Sequence, residues 1–153
     1  MLHKTEKHQY FFEVELNWQK GREGMIHAKD VNDSISVATA HEFIGGIPGK
    51  WSPEHLFIGS LCSSFMTIFL AFAEKKELKL VYFECSAIGR IQLLEGHLEF
   101  TGIDLYPKVG VSITEDVSGV KEIVKKTHEH CIIANSIRAP IIFHEEIKVK
   151  NQS

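Results

Sequence analysis

Hydrophobic and polar positions along this chain change their period several times, and each change marks an element. Over residues 9–18 they alternate, with Phe12, Val14, Leu16 and Trp18 on one face and Glu13, Glu15 and Asn17 on the other. A period of two predicts a half-buried strand. Lys20-Gly21-Arg22-Glu23-Gly24 reads as a turn, residues 25–28 begin the return strand of a hairpin, and residues 35–39 form a third short strand. Residues 43–50 hold three glycines and a proline and read as a loop.

From Trp51 to Glu74 the pattern turns helical and apolar. Ser52 suits the N-cap, Pro53 the first turn, and Glu54 the positive end of the helix dipole. Leu56, Phe57, Leu61, Ile68, Phe69 and Phe72 cover nearly the whole circumference, which predicts a helix enclosed on most sides. A polar Cys62-Ser63-Ser64 interrupts that surface. A helix so apolar exceeds what one small domain covers, so a homodimer with paired long helices is expected.

Residues 80–94 are again strand-like, with Val81, Phe83, Cys85 and Ala87 on one face. Glu95-Gly96 turns the chain into residues 97–106, and residues 108–113 form a further extended piece. Residues 117–129 are helical, with Val120, Ile123 and Val124 inward, Thr127 and His128 following on that face, and Cys131 at the end. Residues 141–149 close the chain as a strand. The order βββ-α-βββ-α-β predicts an α+β fold with antiparallel sheet, in one domain over residues 1–153.

Composition narrows the partners. A net charge of −3 gives nucleic acid or an anionic membrane no electrostatic footing. The apolar part of the long helix is interrupted early and bounded by Glu74-Lys75-Lys76-Glu77, which argues against a membrane span. The opening residues, MLHKTEKHQYFF, show no apolar leader core. Cys62, Cys85 and Cys131 make no disulfide framework, and a reducing cytoplasm is expected.

Four stretches then carry a resemblance: GREG at 21–24, PGKWSPEHLF at 48–57, FMTIFLAFAE at 65–74 and HCIIANSI at 130–137. In this order and spacing the chain resembles the OsmC/Ohr family of osmotically induced and organic hydroperoxide resistance proteins, over roughly residues 10–149. The resemblance implies an OsmC-like fold, antiparallel sheets around a long central helix, in an intertwined homodimer with sites at the subunit interface. It implies a thiol-dependent peroxidase: a helix thiolate opens the O–O bond of an organic hydroperoxide, a second cysteine closes a disulfide, and a lipoyl-type dithiol reduces it. No cofactor is implied. By the same resemblance Arg22 stabilises the thiolate, Glu54 orients Arg22, and Cys131 is the resolving cysteine.

The attacking position departs from this pattern. The ungapped register from Pro53-Glu54 to Phe65 sets the family's reactive cysteine on Ser64, and Cys62 lies two residues earlier. Two residues turn a helix by roughly 200°, so Cys62 and Ser64 face nearly opposite sides. Serine has no thiolate to offer. Cys62 is then the one helix cysteine available to partner Cys131, or the fold retains a pocket without the cycle and binds a small apolar ligand between Phe57, Phe65 and the 43–50 loop. A site shared directly by Glu54 and Ser64 needs a break in the helix, for which Gly59-Ser60 is the place, because ten residues of helix span roughly 15 Å.

Plainer readings stand beside these. Cys62 and Cys85 suit small core positions, Ser64 could bond back to the Ser60 carbonyl, and Arg22 could be an exposed turn residue. His128, His130 and Cys131 lack zinc-like spacing, so no metal is expected. Ser64 lacks the sequence context of a serine hydrolase.

Overall fold

The computed structural model describes residues 8–150. The leader expectation therefore falls partly outside the described residues, which begin after residue 7. The chain forms two compact units, Met1–His55 and Leu56–Ser153.

In the first unit, β1 (Glu15–Lys20), β2 (Glu23–His27) and β3 (Ile35–Ala38) form an antiparallel sheet in the order β1-β2-β3. Gly21, at φ +49°, makes the β1–β2 turn in a conformation costly for side-chain-bearing residues. β1 is shorter than residues 9–18 and begins later. Its alternation is present, yet Leu16 and Trp18 are exposed, as are Phe12 and Val14 before it. The periodicity identified the apolar face; this chain leaves that face open.

Helix α1 (Pro53–Lys75) runs unbroken through Gly59-Ser60, so the expected break is absent. Its start is a reciprocal cap. Ser52 Oγ accepts the His55 N–H at 3.2 Å, and the Ser52 N–H donates to His55 Nδ1 at 3.3 Å. Histidine here takes the part that Glu or Gln plays in a capping box.

In the second unit, Leu61, Phe65, Phe69 and Ala73 form the one buried stripe of α1, at four-residue spacing. They pack with Ile103, Leu105, Val109 and Val111 of the sheet, and with Val120, Ile123 and Val124 of the second helix. The sheet is built on a long hairpin, β4 (Leu80–Leu94) and β5 (His97–Val111), turned by Glu95 and Gly96, both at positive φ. β5 is continuous, so the separate piece expected at 108–113 is its second half. A register shift between Leu80 and Tyr82 takes Val81 off the face shared by Phe83 and Cys85 and leaves it exposed.

Helix α2 (Asp116–His130) is followed by the short α3 (Ile132–Ser136), then β6 (Ile141–Phe143) and β7 (Glu146–Val149). Both last strands pair parallel to β5. The sheet is thus mixed rather than antiparallel, and the expected closing strand is two strands with a break at His144-Glu145. Local pattern identifies a strand but not the direction of its partner.

Candidate functional site

Of the residues singled out from sequence, Arg22 and Glu54 belong to the first unit. The Arg22 guanidinium donates to the Ile44 carbonyl at 2.7 Å and lies over Gly45, whose φ is +79°. A Cβ at Gly45 would stand 3.0 Å from Arg22 Cζ, so glycine lets the guanidinium rest on the loop backbone. Arg22 is therefore tied to the 43–50 loop. Among the described residues no ion pair joins it to Glu54. One Glu54 carboxylate oxygen is buried with no hydrogen-bond partner. The expected orientation of Arg22 by Glu54 is not made.

Sequence reading missed Lys50. It bonds Ser36 Oγ at 2.9 Å and Glu23 at 3.0 Å, fastening the glycine loop to β2 and β3. Its hydrogen bond holds the Glu23 carboxyl below the ordinary range. A cation following a glycine-rich loop and an acid in the GREG turn were the signals available.

In the second unit Ser64 and Cys131 meet. The Cys131 thiol donates to Ser64 Oγ at 3.3 Å, across 67 positions of sequence. Cys131 is placed by the change from α2 to α3: its N–H caps α2 on the Thr127 carbonyl at 2.9 Å, and its carbonyl accepts from Asn135 at 3.0 Å. Cys131 is completely buried. Ser63, rather than Ser64, bonds back to the Ser60 carbonyl. The Ser64 hydroxyl is thus turned to the thiol.

Cys62 faces elsewhere, toward Cys85 on β4. The neighbouring Cys85 thiol draws the Cys62 thiol below its ordinary pKa against the opposing effect of burial. The neighbouring Cys62 and burial push the Cys85 thiol up. Both are half-buried at the border of the core.

Phe57 lines a surface groove of about 730 Å³ with Leu94, Phe100, Ile137, Arg138 and Pro140. Phe65, the other expected pocket residue, is fully buried and packs on Phe69's neighbour Phe83, on Phe143 and on His128. It belongs to the core because it falls on the buried α1 stripe. His128 stacks on Phe143, with ring centroids 3.7 Å apart. Its Nε2 is buried without a partner, and desolvation lowers its pKa.

Comparison with known proteins follows the same lines. The OsmC-like protein family profile matches residues 46–146. No curated protein matches the chain by sequence. Among solved structures, an OsmC-like protein of unknown function from Vibrio cholerae superposes with a TM-score of 0.79 at 19% identity, covering 90% of this chain and 99% of that one. An organic hydroperoxide resistance protein OsmC from Legionella pneumophila gives 0.70 at 21% identity, covering 94% and 100%. The organic hydroperoxide resistance protein OhrB of Bacillus subtilis gives 0.64 at 18%, covering 91% and 98%. At such identities the likeness is one of fold. A profile match over two central helices and the sheet between them, joined to that fold, makes this chain a member of the OsmC-like family.

Proposed function

We propose that this protein reduces organic hydroperoxides with its thiols, using Cys62 as the reacting thiol in place of the residue at position 64. The carrying observation is the contrast between its helix and α2-end sites. Cys62 is half-buried and its thiol is drawn below the ordinary pKa by the neighbouring Cys85, whereas Cys131 is sealed and bonded to Ser64. A peroxide-reacting sulfur must be a thiolate and must be reachable. Cys62 is the reachable one, and Cys131 is fully buried. The relatives named for organic hydroperoxide resistance support the substrate class. A lipoyl-type dithiol as reductant, a homodimer, a single functional domain and a cytoplasmic setting belong to the same reading.

Turnover of cumene hydroperoxide with dihydrolipoamide tests it. Wild type is expected to turn over, Cys62→Ser to lose activity at least tenfold, and Cys131→Ser to retain it. Loss in Cys131→Ser equal to that in Cys62→Ser would restore the Cys62–Cys131 cycle instead.

The Ser64–Cys131 contact favours one alternative: a protein that keeps the family pocket without catalysis and binds a small apolar ligand along the Phe57 groove. Inert wild type combined with hydroperoxide turnover gained by Ser64→Cys would establish it.

A further inference from the structure

The long helix and the long hairpin strand bring together two cysteines that no spacing connects. Cys62 projects from α1 and Cys85 from β4, 23 positions apart; on one side of them Ile58 meets Gly89, and on the other Phe65 and Phe69 pack on Phe83, which sets Cys62 over the Cys85 stretch of β4. Close approach of the two elements has a visible cause. Gly89, two pleat repeats along β4 from Cys85 and on the same face, carries no side chain where a Cβ would stand 3.0 Å from Ile58 Cγ2, and Ile58 is one helical turn before Cys62. The helix therefore settles onto β4 beside the two thiols. Both are half-buried, so a reagent can reach them and the surrounding core can still exclude bulk water.

We infer that Cys62 and Cys85 form a redox dithiol, in which an organic hydroperoxide oxidises Cys62 and Cys85 closes the disulfide. The inference rests on the hydroperoxide reading above and supplies the resolving thiol that reading lacks. The Cys62 thiolate attacks the terminal oxygen of ROOH; the S–O bond forms, the O–O bond breaks, and the alkoxide takes a proton to leave as ROH. The Cys85 sulfur then attacks the Cys62 sulfenic acid; the S–S bond forms, the S–O bond breaks, and hydroxide leaves with the Cys85 proton as water. Two thiols are oxidised by two electrons, and the hydroperoxide is reduced to alcohol and water. A dithiol reductant returns the pair by exchange. Bond formation requires the sulfurs to close to about 2.05 Å. Cys131, held by Ser64, stands outside the pair.

Non-reducing peptide mapping of the full-length protein after one equivalent of cumene hydroperoxide is the test, with the thiol oxidant diamide as a second arm. A Cys62–Cys85 cross-link is expected with both oxidants, in wild type and in Cys131→Ser. In Cys85→Ala, Cys62 is expected to stop at sulfenic acid and to be captured by dimedone. A cross-link with diamide alone keeps the dithiol but overturns hydroperoxide as its oxidant, and with it the proposed activity. A Cys62–Cys131 link, or no link with either oxidant while hydroperoxide turnover proceeds, overturns the dithiol and leaves the activity standing.

Discussion

Protonation of His128 places a charge between Phe65 and Phe143, at a nitrogen with no acceptor. Burial lowers its pKa in the folded state, so between that value and about 6.5 the unfolded chain binds more protons. Stability is then complete above about pH 6.5 and declines as pH falls toward the folded pKa. Urea midpoints at pH 7.5 and pH 5 are expected to differ less in His128→Phe than in wild type; an unchanged difference would place the titrating group elsewhere. Ser52 gives a second residue-scale expectation. Its side chain is buried and caps α1, so Ser52→Ala should cost about 1 kcal/mol in denaturant unfolding. This cap was legible in Trp-Ser-Pro-Glu, because capping is local chemistry. The Cys62–Cys85 contact was not, since it does not follow from a residue's own neighbours.

At the scale of elements, strand β4 and the two long helices were legible almost to the residue. Residues 80–94 and β4 coincide, and α1 and α2 begin and end close to their expected limits. Those elements announce themselves through period and turn chemistry. The parallel direction of β6 and β7 has no such signature, because it is settled by which edge of β5 remains free. Gly89 shows the same dependence on a distant partner. A Cβ there would lie 2.6 Å from the Phe100 ring and 3.0 Å from Ile58. Gly89→Ala is therefore expected to cost about 1–3 kcal/mol by overpacking, measured by urea denaturation. The same variant should slow Cys62–Cys85 cross-linking by diamide if helix approach sets that contact.

For the whole molecule, the notable quantity is apolar surface without a cover. Phe12, Val14, Leu16 and Trp18 in the first unit are exposed, and α1 leaves Phe57, Met66 and Leu70 more than a third exposed. Four residues of a 23-residue helix are buried, although its apolar run has the length and hydropathy of a membrane span. A second copy of the chain is the expected cover. Sedimentation equilibrium should give a dimer, and Leu16→Glu with Met66→Lys should shift it toward monomer; a monomeric wild type would remove this account. The same surface explains one sequence expectation that went astray. An alternating pattern reports that a face needs burial and is silent on which chain provides it, so β1 read as half-buried.

The parallel pairing of the last strands has a consequence for the chain while it is being made. β5 has its hairpin partner β4 as soon as residue 111 leaves the ribosome, but its other edge waits for residues 141–149. Through the synthesis of the intervening thirty or so residues, a strand rich in Ile103, Leu105, Val109 and Val111 presents unpaired backbone groups. Nascent chains halted before residue 141 should accordingly recruit chaperones and self-associate, and release of nine more residues should end both.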